Sequence, residues 1–360
     1  MHAKVDVQAR RQAFYDRIRA QHLTPLWEAL HALVPQQPTG AAVPHHWRWA
    51  DTVPYLMEAG DLITAAEAVR RVLILENPGI PGGSRATTSL YAGLQLILPG
   101  EIAPAHRHTQ SALRFIVDGQ RAWTAVDGER TTMRPGDFII TPSWTWHDHG
   151  NPATEAGGEP VVWLDGLDIP MLQFFDAGFA EGYPVAEQPL SRPEGESLAR
   201  FGANMVPVRQ AIAPVGSTSP IFSYPYERTR EALARLARDC ALDDWDGAKL
   251  RYVNPVNGGW PMPTIGTFMQ LLPAGFHGKP QRGTDGTVFS VVEGRGRARL
   301  SRHGEQQVVE FGPKDHFVVP SWWQVALDAD DECVLFSFSD RPAQQALGIL
   351  REQRLDAFEG

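Results

Sequence analysis

Two halves of the 360-residue sequence repeat each other, and this repeat limits the possible folds more than any other feature. The segment LQLILPGEIAPAHRHTQSALRFIVDG aligns with MQLLPAGFHGKPQRGTDGTVFSVVEG in the second half. Further along, RPGDFIITPSWTWHDH aligns with GPKDHFVVPSWWQVAL. Repeats of this kind indicate a duplicated structural unit. We therefore expect two similar domains in tandem, which agrees with a usual domain size of about 100–200 residues.

Each half is built from short apolar runs that end at turn-forming residues. RVLILEN ends at an Asn-Pro-Gly turn, and TSLYAGLQLILPG, ALRFIVDG, RAWTAVDGER, DFIITPSW and EPVVWLDGLD end in glycine, proline or other turn residues. Runs of this length, rich in Val, Ile, Phe and Trp, are typical of strands in sandwiches and barrels. The pattern begins at Arg71 and resumes near Thr264 in the second half. The sequence therefore predicts a mainly β protein with one barrel in each half.

Helical patterns occupy the ends of the chain and the region between the halves. Apolar residues recur at helical spacing over residues 8–34, and a second helix is expected over 51–70 with Asp51 or Thr52 as its N-cap. PTGAAVPHHWRW predicts a linker between them, REALARLARDCALDDW a helix between the halves, and AQQALGILREQRLDAF a closing helix. The expected regions are an N-terminal helical region, a metal-binding first barrel, a connecting region, and a second barrel with the closing helix, at 1–70, 71–184, 185–258 and 259–360.

Composition excludes several classes of protein. The net charge of −9 does not fit a nucleic-acid binder, and the basic stretch GRGRARLSR alternates with small and apolar residues like the solvent face of a strand. No apolar run approaches the roughly 20 residues of a membrane-spanning helix. The N-terminus is charged throughout, which argues against a signal peptide, and Cys240 and Cys333 are too few for a disulfide framework. We expect a cytoplasmic protein that binds neither membranes nor nucleic acid.

Three histidines of the first half form the strongest candidate for a metal site. His106 and His108 are two apart at the start of a predicted strand, so both imidazoles face the same side. His147 follows a later strand, which an antiparallel barrel can bring beside the first. The aligned positions of the second half hold other residues, namely Gln281, Gly283 and Val325. The sequence therefore predicts that only the first barrel binds metal, through three imidazoles that leave further coordination positions open.

The same two stretches resemble a known family. HRHTQSALRFIVDG and PGDFIITPSWTWHDHGN keep the spacing of glycine, histidine, proline and asparagine found in the paired motifs of cupins. Many cupins place a glutamate ligand shortly after the first two histidines, but that position falls near Ala112 here. This departure, together with RRVLILENPG, VVWLDGLDIP and NPVNGG, resembles gentisate 1,2-dioxygenases and their relatives that act on salicylate and 1-hydroxy-2-naphthoate.

The resemblance implies a bicupin, with two tandem double-stranded β-helix (jelly-roll) barrels and N-terminal helices. It also implies iron(II) as the cofactor, a small aromatic acid and O2 as substrates, and a homotetramer. The reaction implied is cleavage of the gentisate ring between the carboxyl-bearing carbon and the adjacent hydroxyl-bearing carbon, which gives maleylpyruvate. Three histidines alone would also suit manganese, nickel or zinc.

Further residues are candidates for catalysis or substrate binding. Arg114 is an even number of residues from both strand histidines, so it should share their face and pair with an anion. His149 is two residues from His147 and could accept the phenolic proton of the substrate. Only one of Arg70 and Arg71 can point inward, and the resemblance favours Arg70 as a carboxylate contact. The remaining candidates for substrate binding are Gln95, Asp165, Tyr91 and Gly93, with Asp165 facing the 5-hydroxyl group.

Two kinds of alternative stay open at this point. Within the same chemistry, the substrate could be salicylate or 1-hydroxy-2-naphthoate. In another class, the chain could be a non-enzymatic cupin, but a mere scaffold has no reason to keep all three histidines in one copy. Isomerase and decarboxylase cupins commonly keep the glutamate ligand that this sequence lacks.

Overall fold

The computed structural model describes residues 2–153, 158–205, 207–209 and 218–360. Parts of the expected connecting region, at 206 and 210–217, lie outside the described residues. The chain divides into two units, Met1–Thr39 and Gly40–Gly360. No helix among the described residues is both long and apolar enough to cross a membrane.

The first unit contains two helices, α1 (His2–Arg19) and α2 (Leu26–Leu33). The helical region predicted over residues 8–34 is therefore present, but it consists of two helices rather than one. Pro25 is the N-cap of α2 and has an extended backbone, and proline also lacks the N–H that a continuous helix would need there. The Tyr15 hydroxyl donates to Glu28 Oε1 at 2.5 Å, and the Trp27 indole N–H donates to the Tyr15 hydroxyl at 3.0 Å.

The second unit begins with β1 (His45–Trp47), α3 (Trp49–Leu62) and α4 (Ala65–Ala68). The predicted linker therefore contains a strand, and the helix predicted over 51–70 is two helices. The N-cap of α3 is Arg48 rather than Asp51 or Thr52. Thr64 begins α4 with a capping box, in which its side chain and that of Glu67 each accept from the other's backbone N–H.

The first barrel consists of two antiparallel sheets. Its elements are β2 (Val72–Ile74), β3 (Tyr91–Ile97), β4 (Ile102–His108), β5 (Ala112–Asp118), β6 (Trp123–Val126), β7 (Glu129–Thr132), β8 (Phe138–Thr141), β9 (His147–Gly150), β10 (Val161–Leu167), α5 (Ile169–Phe174) and β11 (Ala180–Gly182). The connecting region contributes α6 (Glu196–Phe201), β12 (Ser223–Tyr224) and α7 (Tyr226–Asp239). The sheet orders are β12-β8-β5-β10-β3-β2 and β11-β4-β9-β6-β7.

The second barrel repeats this arrangement. Its elements are β13 (Ala248–Arg251), β14 (Gly266–Leu272), β15 (Gln281–Gly283), β16 (Thr287–Glu293), β17 (Gly296–Arg302), β18 (Glu305–Phe311), β19 (His316–Val319), β20 (Gln324–Ala329), β21 (Cys333–Ser339), α8 (Arg341–Ala346) and β22 (Glu352–Arg354). The sheet orders are β1-β19-β16-β21-β14-β13 and β18-β17-β20-β15-β22. The prediction of a mainly β chain with two tandem barrels is confirmed.

The predicted closing helix is shorter than expected. Helix α8 ends at Ala346, and Gly348 follows with a positive φ of 72°. A glycine in this conformation commonly ends a helix, because it has no Cβ to clash. The remaining residues return as β22, which pairs with β15.

The two six-stranded sheets share one apolar core between the barrels. Phe115 of β5 stacks on Phe336 of β21 with ring centroids 4.1 Å apart and nearly parallel planes. Gly166 of β10 lies so close to Phe338 that a Cβ there would come within 2.8 Å of its ring. This core buries the outer face of each six-stranded sheet, so the residues on the opposite face line the interior of each barrel.

Candidate metal centre

Three histidine side chains converge inside the first barrel. His106 and His108 lie at the end of β4, and His147 begins β9, the strand that pairs with β4 and sets His106 opposite His147. One ligand atom from each ring lies within 4.8 Å of the others. This is the only group of three or more possible ligands found among the described residues. The alternation of strand side chains and the strand pairing together produce the cluster, as the spacing indicates.

Backbone carbonyl groups orient the three rings. His108 Nδ1 lies 2.9 Å from the carbonyl oxygen of Gln110, and His147 Nδ1 lies 3.0 Å from that of Thr145. His106 Nδ1 has a longer contact of 3.3 Å with the carbonyl oxygen of its own neighbour Pro104. With the proton on Nδ1, each ring donates to a carbonyl two residues away and directs its Nε2 lone pair elsewhere. Metal-binding histidines are commonly fixed in this way.

The three rings are neutral at neutral pH. Burial, with Arg70 and His108 nearby, lowers the pKa of His106 to about 3, and burial lowers that of His108 to about 4. Burial and Arg114 hold the pKa of His147 well below its usual value. The Nε2 atom of His147 is buried and has no hydrogen-bond partner among the residues that the structure describes. Neutral imidazoles with free Nε2 lone pairs fit a divalent metal ion, which is the partner that such an atom needs.

The two adjacent arginines point in different directions. Arg71 is buried and makes a two-pronged ion pair with Glu101, with both N–O distances at 2.8 Å. Arg70 turns toward the histidine cluster, and its Nη2 atom lies 2.5 Å from the carbonyl oxygen of Pro104 and 2.6 Å from His106 Nδ1. If His106 carries its proton on Nδ1, the second of these contacts joins two donors. The Arg70 guanidinium can then move to a better acceptor, such as a bound carboxylate.

A second guanidinium is buried beside the histidines. Arg114 is only 4% exposed, its Nη1 donates to the Thr141 hydroxyl, and its Nε lies 3.6 Å from Asp165 Oδ1. Within the part of the chain that the structure describes, that Nε has no hydrogen-bond partner. Burial raises the pKa of Asp165 to about 6, although Arg114 and the indole N–H of Trp163 oppose the rise. Arg114 therefore has unused donor capacity inside a buried site, which is the arrangement that an anionic ligand would complete.

His149 lies next to the cluster rather than in it. Its Nδ1 atom is 2.5 Å from the Thr124 hydroxyl oxygen, whose own proton can go to the carbonyl oxygen of Asp148 at 3.2 Å. Its Nε2 atom is buried and has no hydrogen-bond partner in the described part of the chain, and burial with Arg114 nearby holds the pKa of His149 well below the usual value. If Nδ1–H donates to Thr124, Nε2 is left as a proton acceptor at the site.

The other candidate residues lie on β3, which pairs with the strand that carries Asp165. Gly93 of β3 is opposite Asp165 in register, and Gln95 is opposite Val72. A Cβ at Gly93 would come within 2.6 Å of Val72 Cγ1 and 2.8 Å of the Tyr91 hydroxyl, so a larger residue would have to displace one of them. Burial and the nearby Asp165 raise the pKa of Tyr91, which keeps its hydroxyl protonated. His149 also contacts the cluster, since its ring centroid lies 5.8 Å from that of His147.

Comparison with known proteins gives the family. A model described as "Cupin domain" matches residues 93–166, which include the three histidines. The chain is 54% identical over 351 residues to "Gentisate 1,2 dioxygenase 1" of Aquipseudomonas alcaligenes, which covers 98% of each chain. It is 35% identical to a 1-hydroxy-2-naphthoate 1,2-dioxygenase of Nocardioides sp. (strain KP7), covering 95% of this chain and 87% of that one. The chain belongs to the gentisate 1,2-dioxygenase family.

A solved structure of the family has the same fold. Salicylate 1,2-dioxygenase from Pseudoaminobacter salicylatoxidans, determined as adducts with gentisate, is 33% identical and superposes with a TM-score of 0.85. The alignment covers 96% of this chain and 94% of that one. The predicted family and the predicted bicupin fold are therefore confirmed, and the non-enzymatic cupin is disfavoured.

Two residues of this family member were missed by sequence reasoning. Thr141 holds Arg114, and Thr124 holds His149. The repeat contained a signal for Thr141, since the aligned residue of the second half is Val319 and a hydroxyl in the apolar run FIIT needs a partner. Thr124 lies on β6, outside the segments aligned between the halves, so no comparison could single it out.

Proposed function

We propose that the protein is an iron(II)-dependent gentisate 1,2-dioxygenase. It would use O2 to cleave the ring of 2,5-dihydroxybenzoate between the carboxyl-bearing carbon and the adjacent hydroxyl-bearing carbon, which gives maleylpyruvate. The observation that carries this proposal is the set of three neutral imidazoles beside two guanidiniums, from Arg70 and Arg114, with no carboxylate among the ligands. Such a site keeps its positive charge and favours an anionic substrate.

The histidines His106, His108 and His147 would hold the metal. Iron(II) would supply the one-electron chemistry with O2 that no side chain of the protein can provide. Iron is favoured over other divalent ions because open positions beside neutral nitrogen ligands suit oxygen activation. The homologous chains named as ring-cleaving dioxygenases support the same choice.

The protein's own residues would bind and orient the substrate. Arg70 and Arg114 are the cations within reach of the cluster, so we assign to them the substrate carboxylate and the negative charge that develops during turnover. Asp165 would accept a hydrogen bond from the 5-hydroxyl group. Tyr91 and Gly93, with Gln95 further along β3, would limit the size of the ring on this side.

His149 would take the proton of the 2-hydroxyl group as the substrate binds. Its Nε2 has no hydrogen-bond partner among the described residues. The Thr124 hydroxyl oxygen can accept a hydrogen bond from Nδ1–H while the hydroxyl donates to the Asp148 carbonyl oxygen. The imidazole would then be fixed in the tautomer that a base requires.

Oxygen uptake by protein reconstituted anaerobically with iron(II) tests the proposal. We expect rapid uptake with gentisate, one O2 consumed per ring, and appearance of maleylpyruvate. Apo protein and protein loaded with zinc provide the controls. Absence of uptake with gentisate despite bound iron would refute the proposed function but not the fold.

Salicylate and 1-hydroxy-2-naphthoate are the second candidates as substrates. The salicylate dioxygenase with the same fold was determined with gentisate bound, so one site in this family accepts either acid. The 5-hydroxyl group makes gentisate easier to oxidise, and Asp165 offers it a partner. Comparable uptake with the two other acids would keep the mechanism and broaden the substrate range.

Exposed side chains bear on the oligomeric state and the location of the protein. We infer a homotetramer, for which helix α2 offers apolar side chains: Leu26, Trp27, Leu30 and Leu33 are each between 44% and 66% exposed. We also infer a cytoplasmic location, since both cysteines are free and Cys240 is exposed, as suits a reducing compartment. Sedimentation at several protein concentrations tests the first inference, and cell fractionation tests the second.

A further inference from the structure

The second barrel contains a cavity at the position that corresponds to the metal centre of the first. The strand registers establish the correspondence, because Gln281 is opposite Val325 just as His106 is opposite His147. Ser337 corresponds to Asp165 in the same way. Asp165 is opposite Gly93 and Arg114, and Ser337 is opposite Phe268 and Phe289, which are the residues aligned with those two. Gln281, Val325 and Ser337 all line this cavity, whose volume is about 280 Å³.

The lining of this cavity is that of a ligand site rather than a packing defect. Phe268 and Phe289 provide aromatic surface, and the position of Phe289 is that of Arg114. Trp323 and Ser337 are 5% and 1% exposed, and neither the indole N–H of Trp323 nor the hydroxyl of Ser337 has a hydrogen-bond partner among the described residues. Unpartnered buried polar groups are rare in folded proteins and usually face a missing ligand or water.

One cation stands at the wall of the cavity. Lys249 of β13 is opposite Gln270, which places it at the register position of Val72, a neighbour of the first barrel's site. Its ammonium group lies 3.0 Å from Asp246 Oδ1 and 5.2 Å from the centre of the Phe268 ring. A lysine has three N–H donors, so two remain beyond the bond to Asp246. The three other cations of the lining pair with carboxylates: Arg282 with Glu359, Arg341 with Asp285 and Arg354 with Asp243.

We propose that the second barrel binds a small planar monoanionic acid, with its ring against Phe268 and Phe289 and its carboxylate at Lys249. The unpaired N–H of Trp323 and the hydroxyl of Ser337 would hydrogen-bond its polar substituents. The volume is close to the lower end of the roughly 300–1,000 Å³ of small-molecule sites, so the ligand has a single ring. This inference does not depend on the proposed function, because none of its residues belongs to the metal centre.

Equilibrium dialysis of the full-length, metal-free protein with benzoate tests the proposal. The first barrel can also bind benzoate through Arg70 and Arg114, so we expect two molecules per chain at saturation. Lys249→Met removes the ammonium group but keeps the aliphatic chain, and it should weaken one of the two sites by about tenfold or more. Lys279→Met is the matched control. Lys279 also lies over an aromatic ring, that of Trp245, but the Lys279 side chain itself does not line the cavity.

A second variant covers the case in which Lys249→Met perturbs the fold. Trp323→Phe keeps an aromatic ring and deletes the unpartnered N–H, so it should weaken the same site severalfold without changing the other. Absence of any benzoate site that Lys249→Met and Trp323→Phe both weaken would overturn the proposal, whether the unsubstituted chain binds one molecule or two. Two sites that respond equally to Lys249→Met and Lys279→Met would also overturn it.

Discussion

The two barrels have matching strands, but different side chains face their interiors. At the site positions the first barrel places polar side chains and the second places apolar or smaller ones: His106 and Gln281, His108 and Gly283, His147 and Val325, Arg114 and Phe289, Thr141 and Val319, Asp165 and Ser337. Gln95 and Gln270 are the exception, since they are identical. The second barrel keeps the same strand arrangement without the three histidines, so this arrangement does not require them.

What the barrels keep in common are the positions that backbone geometry requires. Gly119 and Gly294 end matching strands with φ of 74° and 78°, and in each a Cβ would come within 2.2 Å of a backbone carbonyl oxygen. Trp144 and Trp322 share a positive φ as well, of 64° and 66°. These constraints act on the main chain and are independent of the metal, so duplication preserved them while the site residues diverged.

Removal of one of the three histidines should have the largest effect on metal content and on oxygen uptake. His147→Ala deletes one of the three proposed ligands, so we expect loss of bound metal and loss of oxygen uptake by more than about 100-fold, beyond the 10- to 100-fold typical of residues that only support a ligand. Metal analysis and oxygen electrode measurements check both. Val325→Ala is the control at the matching position, and it should leave metal content and turnover unchanged. Retention of iron and activity by His147→Ala would refute the ligand assignment.

The reverse experiment adds the ligands to the second barrel. The triple variant Gln281→His, Gly283→His, Val325→His should raise the metal content from about one to about two per chain, since the strand registers are the same. A Cβ at Gly283 would come within 2.4 Å of Asp285 Oδ1, so that side chain must move. Turnover per chain should not rise, because Phe289 stands in place of Arg114. A metal content that stays at one would show that strand register alone does not make the site.

The sequence predicted the barrels and the metal cluster because both depend on periodic patterns. Alternation along a strand determines which side chains face inward, and the repeat showed which of them were not needed for the fold. The break between α1 and α2 and the short α8 were missed because Pro25 and Gly348 interrupt patterns that otherwise continue across them. The partners of Arg114 and His149 were missed for another reason. They come from strands that are distant in sequence, and only the pairing of those strands brings them together.

A smaller effect is expected when Thr141 is changed to valine, the residue at the aligned position 319 of the second barrel. Thr141→Val deletes the acceptor of the Arg114 Nη1 hydrogen bond and keeps the shape of the side chain. A hydrogen bond to a charged group contributes about 1.5–3 kcal/mol, so we expect kcat/KM for gentisate to fall by about 10- to 100-fold with iron content unchanged. Thr267→Val is the control in the second barrel, where the buried hydroxyl already has no partner. Equal effects of the two substitutions would mean that Thr141 does not position Arg114.

The smallest expected effect is on the free energy of unfolding, and it concerns two aligned aspartates at the turns before β8 and β19. Burial raises the pKa of Asp137 to about 6, despite hydrogen bonds from the N–H groups of Tyr226 and Arg134. Burial acts in the same direction on Asp315, but hydrogen bonds from His46 and from the N–H groups of Trp49 and Gly312 lower its pKa below the usual value. The folded chain therefore resists ionisation of Asp137 and favours that of Asp315.

The sign of the pH dependence follows from the raised pKa of Asp137. Because the folded state binds this proton more tightly than the unfolded state, its contribution to stability is full below about pH 4 and is lost as the pH rises through about 6. For the metal-free protein, the destabilisation caused by Asp137→Asn should shrink by about 1 kcal/mol between pH 5 and pH 7, as measured by urea denaturation. At pH 7, Asp315→Asn should destabilise the protein more than Asp137→Asn does. A penalty for Asp137→Asn that is constant or grows toward pH 7 would contradict this account, and it would mean that the two turns hold their carboxylates in the same way.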